Sequence, residues 1–261
     1  WTLLCGLLRR RVLLAVFLLL ALGNTWDALV WSETSEPPAA RQSYKLVAFN
    51  LLAQNREGEA VRAFLEGEDA DFVILVEYKD WWGPVLEPLH ERYPHRLVHP
   101  APGVWGVTLY SKYPVERLSA ERPILNTIFA EAQTPDGPLL LLAAHLASPV
   151  SRNYWNYRNR SLDQLAAFAG ALEQPFILAG DLNVTPWSPH FRGFLSASGM
   201  HRLAEGPLPG YTWNTRLPLL GIPIDHALGS ETIRLARQRT GPPDLGSDHR
   251  PLVVEFWIQK E

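Results

Sequence analysis

Apolar residues recur along this chain in short runs separated by turns and polar segments. The runs "KLVAFN", "DFVILVE", "VWGVTLYS", "LLLLAAHL", "FILAGDLN", "PIDHALGS" and "PLVVEFW" are each about strand length. Most are apolar on both faces, the pattern of strands covered on two sides. Between them the period lengthens to that of a helix. "REGEAVRAFLEGEDA" puts Val61, Phe64 and Leu65 on one stripe, and "RNRSLDQLAAFAGALEQ" does the same with Leu162, Leu165, Phe168 and Leu172. Strands mixed with amphipathic helices predict a layered α/β or α+β domain over residues 44–261. The polar, proline-bearing "SETSEPPAARQS", residues 32–43, reads as a linker. No internal repeat or low-complexity tract stands out.

Ahead of the linker the runs become blocks. "WTLLCGLL" is apolar, Arg9, Arg10 and Arg11 interrupt it, and "VLLAVFLLLALG" is unbroken hydrocarbon. Two readings are open. In one, the arginines are the n-region of a secretory signal, residues 12–22 its apolar region and "ALG" its cleavage site. In the other, residues 1–8 end one membrane helix, the arginines form a short cytoplasmic loop, and residues 12–31 form the next helix. A span needs about 20 residues. The second reading reaches that length by including Asn24 and Asp27 beside Trp26 and Trp31, where an aromatic belt is expected. The apolar octet before the arginines favours the membrane helix over the signal; a buried core helix is the plain alternative. The expected organisation is a membrane segment at 1–31, a linker at 32–43 and a folded domain at 44–261. Both favoured readings place that domain on the extracytoplasmic side of the cell membrane.

Composition narrows the picture only a little. Hydrophobic residues at 47% and charged residues at 20% are ordinary globular values, which exclude a largely disordered chain. A net charge of −3 gives no general attraction to nucleic acid, so any phosphate recognition has to come from a local site. The single cysteine, Cys5, leaves residues 44–261 without a disulfide or a thiolate metal site.

The polar residues at the ends of the apolar runs carry the chemistry. Asn50 closes "KLVAFN", Glu77 closes "DFVILVE", His145 follows "LLLLAA", and Asp181 and Asn183 close "FILAGDLN". Asp225 and His226 interrupt "GIPIDHALGS", and Asp248 and His249 precede the last run in "GSDHRPLVVEFW". In layered α/β folds, strand ends are where loops converge on sites. Glu77 and Asp248 with the amide oxygen of Asn50 make an all-oxygen set suited to Mg²⁺ or Mn²⁺. His249 suits a general base on water, because an unperturbed imidazole titrates near neutrality. Asp225 would orient it, Asp181 and Asn183 would hold the water or a phosphate, and His145 would donate to a phosphate oxygen. His226 reads as structural. Trp187, Tyr211 and Trp213 are candidates for a rim, and "SRNYWNYRNR" for either a phosphate contact or the solvated start of a helix.

These motifs resemble those of the endonuclease/exonuclease/phosphatase superfamily, the DNase I-like proteins. "FN" at Asn50, "VE" at Glu77, "HL" at His145, "GDLN" at Asp181 to Asn183, "IDH" at Asp225 and "SDHRP" at Asp248 and His249 occur in the family's order. Each is weak alone and the ordered set is specific. "AGDLNVTPWSP" and "LPLLGIPIDH" resemble the bacterial membrane-anchored branch. The resemblance implies a four-layer αββα sandwich and metal-dependent phosphoester hydrolysis. It places Asn50, Glu77 and Asp248 around the metal and the Asp225–His249 pair on the water.

Departures from the family pattern limit the substrate. "GIPIDHAL" lacks the tryptophan–cysteine–aspartate–arginine signature of inositol 5-phosphatases, and His145 stands where abasic endonucleases place a tyrosine. A nuclease-like phosphodiesterase and a phospholipid-headgroup hydrolase both remain open, acting as a monomer attached to the membrane through its N-terminus. A phosphomonoesterase and a non-catalytic binding module of the same fold are the alternatives.

Overall fold

The computed structural model describes residues 2–25, 33–39, 41–118, 126–205 and 210–259. The first element is a single helix, α1 (Thr2–Thr25). It runs through Arg9–Arg11 without the expected loop, since arginine is a good helix former. Residues 12–22 rise only about 16 Å, roughly half of a hydrocarbon core. No helix among the described residues is long and apolar enough to cross a membrane. The spanning helix expected over residues 12–31 is therefore not found in the described part of that segment, and Trp26 and Trp31 lie outside it.

The folded domain alternates strands with helices: β1 (Ser43–Asn50), α2 (Gly58–Glu68), β2 (Phe72–Val76), α3 (Trp82–Leu86), β3 (His95–His99) and β4 (Val107–Ser111). The chain continues through β5 (Val115–Arg117), β6 (Thr127–Thr134), β7 (Gly137–His145), α4 (Arg152–Ala169), β8 (Phe176–Asp181), α5 (Pro189–Ser198) and β9 (His201–Arg202). It closes with β10 (Asp225–Gly229), β11 (Ile233–Thr240) and β12 (Leu252–Ile258). One sheet has the order β11-β12-β1-β2-β4-β3 and the other β5-β6-β7-β8-β10-β9.

Three apolar zones make the four expected layers. Between the sheets, Leu46, Ala48 and Ile74 meet Ile128, Leu141 and Ile177. On the outer face of the first sheet, Val47, Phe49 and Leu75 pack under Val61, Leu65 and Trp82. On the outer face of the second, Leu140, Leu142 and Leu178 pack under Leu162, Leu165 and Phe191. Burying both faces is why the central strands read as continuous hydrocarbon rather than as alternation. The linker is not free along its whole length. Ser35 donates its amide to the Leu235 carbonyl at 2.8 Å, and Trp257 Nε1 donates to the Ser35 carbonyl at 3.0 Å.

Candidate active site

The polar strand ends gather at one edge of the sandwich, and strand register explains why. β1 and β2 are parallel with Asn50 opposite Val76, so Glu77 leaves β2 one step further on. β7 and β8 are parallel with His145 opposite Asp181. β10 runs antiparallel to β8 and begins with Asp225 opposite Asp181. β12 is antiparallel to β1, so Asp248 and His249, just ahead of it, return to the edge where Asn50 ends.

Local hydrogen bonds then set each side chain. Glu77 and Asn183 take left-handed conformations, φ 56° and 50°, that turn the chain sharply at the ends of β2 and β8. Such positions are uncommon outside glycine and cost on the order of 1–3 kcal/mol where the surroundings impose them. Glu77 is fastened by the Ala53 amide on Oε2 at 2.8 Å and by Asn50 Nδ2 on Oε1 at 3.2 Å. Asp181 accepts from the Asn183 amide at 2.8 Å and from Asn50 Nδ2 at 3.0 Å. Asn183 Nδ2 donates to the Leu146 carbonyl at 2.9 Å. The Ser247 hydroxyl donates to the Asn50 carbonyl at 2.7 Å and accepts from the His249 amide at 3.0 Å, joining the two sequence-distant motifs.

His249 and Asp225 form the expected pair: Nδ1 and Oδ2 lie 2.8 Å apart, and both side chains are buried. The other ring nitrogen, Nε2, points toward Asp181, 3.8 Å from Oδ2. Burial alone would lower the His249 pKa. The adjacent Asp225 carboxylate, with Asp181 and Asp248 behind it, outweighs burial and pushes the imidazole up to about 9. Asp181 is pushed up, first by burial and then by the Asp225 charge. His145, tilted against Trp105 and 3.9 Å from Asp181, goes the other way, down to about 4. Burial is the larger cause and the charge of His249 the next. His145 is therefore neutral near pH 7.

These groups open into a pocket of about 600 Å³. Glu77, His145, Asp181, Asn183, Asp248 and His249 all line it, whereas Asn50 and Asp225 sit behind it in contact with those residues. Of the rim candidates, Trp213 lines the pocket and donates Nε1 to Asp248 Oδ2 at 2.9 Å. Trp187 and Tyr211 do not line it, and Tyr211 instead lies under the Arg250 guanidinium. His226 is structural as expected: buried, stacked on Phe191, with Nε2 2.7 Å from the Val184 carbonyl. "SRNYWNYRNR" is both the start of a helix, α4 with Ser151 as its cap, and part of the site, since Trp155 and Arg158 form pocket wall. Trp105 was not legible as a wall residue, because it falls inside a run that reads simply as strand.

The donor chemistry fits a divalent cation. Glu77, Asp181, Asp225 and Asp248 crowd one edge with a single imidazolium, and the two that face the pocket at partial exposure, Glu77 and Asp248, are acceptors only. Asn50 departs from its expected part. Its Nδ2 faces Glu77 and Asp181 while its oxygen accepts from the Leu52 amide at 3.0 Å, so in this orientation it spaces two carboxylates and offers no oxygen to an ion. Asp181, Asp225 and His249 also bring one ligand atom each within 4.8 Å of one another. In that trio the 2.8 Å bond commits Nδ1 to Asp225, an arrangement for handling a proton rather than a metal.

Fold and site together define a hydrolase of the two-sheet α/β sandwich class, with an acid-rich, histidine-containing cleft at the strand ends. The Endonuclease/Exonuclease/phosphatase family profile matches residues 47–249, and the chain belongs to that family. The family's chemistry is metal-dependent phosphoester hydrolysis. Solved structures agree on the fold. The endonuclease/exonuclease/phosphatase from Bacteroides vulgatus has a TM-score of 0.68 at 16% identity, covering 84% of this chain and 100% of that one. The Beutenbergia cavernae protein of the same description gives 0.65 at 17%, covering 84% and 72%. TDP2 from D. rerio, complexed with single strand DNA product, gives 0.64 at 17%, covering 82% and 99%. No curated protein matches the chain.

Proposed function

We propose that this chain hydrolyses phosphodiesters by in-line attack of water, without a covalent intermediate. The observation that carries this reading is the buried His249–Asp225 pair, whose free Nε2 faces Asp181 inside the pocket. His249 Nε2 takes the proton of the attacking water, Asp225 holds the ring and its charge, and Asp181 with Asn183 positions the water. Neutral His145 donates to a phosphate oxygen. As the bond from water oxygen to phosphorus forms, the bond to the leaving oxygen breaks on the opposite side. Glu77 and Asp248 would hold a Mg²⁺ or Mn²⁺ ion. When bound, that ion would neutralise charge on the phosphoryl oxygens and offset the acids that raise His249.

Two substrate classes suit this chemistry: nucleic acid, for which D. rerio TDP2 with its single strand DNA product is the analogy, and phospholipid headgroups. The test is hydrolysis of bis-p-nitrophenyl phosphate beside the monoester, with Mg²⁺ or Mn²⁺ and then EDTA. Diester turnover abolished by EDTA is expected; preference for the monoester would replace this reading with a phosphatase. Silence on both from a folded, ion-binding protein would favour the non-catalytic module. Placement of a monomeric domain outside the cytoplasm rests on Arg9–Arg11 and the apolar residues after them. Reporter fusions after Glu36 test the side, and light scattering tests the monomer.

A further inference from the structure

Exposed apolar side chains are not scattered over this domain. Among the described residues outside α1, the large exposed ones are Val98, Val150, Tyr154, Trp155, Leu217, Leu219 and Leu220. All but Val98 fall in two stretches, residues 148–155 and 213–222, and both supply wall to the active-site pocket. Pro149, Val150 and Trp155 come from the first, Trp213 and Ile222 from the second. The second stretch is a closed loop. Trp213 is bridged to Ile222 at its base and to His249 beside it, and the turn at Pro218–Leu220 carries the tip. At that tip Leu219 is 99% exposed and Leu220 71%, and across the pocket mouth Val150 is 80% exposed. A folded chain rarely leaves three aliphatic side chains this bare around a site without a partner for them.

Within the two stretches the charges are of one sign, and the nearest acid beyond the first in the chain, Asp163, shares a depression with Arg160. Neither residues 146–161 nor residues 210–224 contain an aspartate or glutamate, while Arg152, Arg160 and Arg216 are exposed there. The barest side chains of the rim are aliphatic; the exposed aromatics beside them, Tyr154 and Trp155, pack against Trp105 and His190, whereas single-stranded nucleic acid is expected to stack on bare aromatic faces. Aliphatic tips flanked in the chain by exposed arginines suit acyl chains beneath anionic headgroups.

We propose that the rim formed by Val150, Leu217, Leu219 and Leu220 docks on an anionic phospholipid bilayer, with Arg152, Arg160 and Arg216 among the headgroups. The substrate is then a membrane phospholipid whose phosphodiester enters the pocket. This rests on the phosphodiesterase reading above. Hydrolysis adds one water: phosphorus gains its oxygen, the departing alcohol gains a proton, and the products are a phosphomonoester and an alcohol.

Two measurements on the full chain test it. In the first, Cys5, the sole cysteine, is replaced (Cys5→Ser), and Leu219→Cys carries an environment-sensitive fluorophore. Vesicles of equal parts phosphatidylcholine and phosphatidylglycerol should shift its emission to the blue, and brominated acyl chains should quench it, even if α1 also binds the vesicle. Unchanged emission overturns the docking. A shift obtained instead with a single-stranded oligonucleotide, or by raising protein concentration without lipid, overturns it in favour of nucleic acid or a second copy. In the second, the double variant Leu219→Asp and Leu220→Asp should lose roughly tenfold or more of its turnover of vesicle phospholipid, with bis-p-nitrophenyl phosphate hydrolysis within twofold of the parent. Equal loss on both substrates would make the loop a mere brace for His249 and overturn the proposal. A parent silent on the soluble diester would count against the catalytic reading, and the fluorescence would still decide the docking.

Discussion

The molecule contains two strand–helix–strand units of the same plan, and they do different work. In β1–α2–β2 the parallel strands end in Asn50 and Glu77; in β7–α4–β8 they end in His145 and Asp181. The first unit presents an acid half open to the pocket and fastened by amides. The second presents a buried imidazole and a buried acid whose proton affinities are displaced by burial and by neighbouring charge. Their helices differ as well: α4 contributes Trp155 and Arg158 to the pocket wall and α2 contributes nothing. On the mechanism proposed above, one topology supplies an ion-holding end and a proton-handling end, because chemistry resides in the strand-end residue and not in the plan.

The widest separation between the units should appear in turnover. Asp225→Asn, at the start of β10 opposite Asp181 of the second unit, strips charge from the proton-handling side and is expected to lower diester kcat by roughly 10³-fold. It should also move the rising limb of the pH–rate profile to lower pH, since Asp225 raises His249. A limb that stays in place would mean that His249 is not the group titrating.

Next in size is a backbone difference. β8 carries Gly180 where β2 carries Val76, and a Cβ at Gly180 would lie 2.0 Å from the Ala144 carbonyl oxygen, at φ +138°. Gly180→Ala should cost about 3 kcal/mol in chemical denaturation. A near-neutral result would show that β7 and β8 can part without consequence.

On the ion-holding side, Glu77→Gln should shift the Mg²⁺ midpoint roughly 100-fold upward while His145→Gln leaves it in place. Equal shifts would erase the division of labour.

A smaller effect comes from His226, which burial holds down to about 4. The unfolded chain takes up this proton near pH 6.5 and the folded chain resists it. Stability is therefore full above about 6.5 and falls as the pH drops toward 4, by about 2 kcal/mol between pH 7 and 5. His226→Gln, which keeps a donor for the Val184 carbonyl, should flatten that slope in thermal melts. Least of all, Lys79→Ala should change turnover less than twofold, because Lys79 lies in a separate depression with Tyr78 and Asp80.

How much of this could be read beforehand follows from the range of the interactions. Strands buried on both faces, such as β2, β7 and β8, announce themselves as hydrocarbon, and the polar residue that ends each run stands out against it. β3, β5, β6, β9 and β11 were not anticipated. β3 alternates in burial, and β11 carries Arg234, Arg237 and Arg239 on a strand paired along one side only. The site residues were legible singly; their pairing was not. That Asn50 turns its nitrogen to Glu77 and Asp181, or that Ser247 ties Asn50 to His249, depends on a register joining residues far apart in the chain, 131 positions for Asn50 and Asp181 and 197 for Asn50 and Ser247. The duplication of plan is likewise invisible, because the two units share topology without sharing residues. At the other end, hydropathy over residues 12–31 suggested a membrane span, but α1 incorporates the arginines and its unbroken apolar part is too short.

Ser35, stitched to Leu235 and Trp257, makes the connection to α1 a short leash. Ten peptide steps separate Thr25 from Ser35, which even fully extended reach at most about 35 Å. Anything that immobilises α1 would hold Ser35, and with it the folded domain, within that distance of the anchoring point. Substrate held on the same surface would then be met at an effective concentration on the order of millimolar, and the search for it would become two-dimensional.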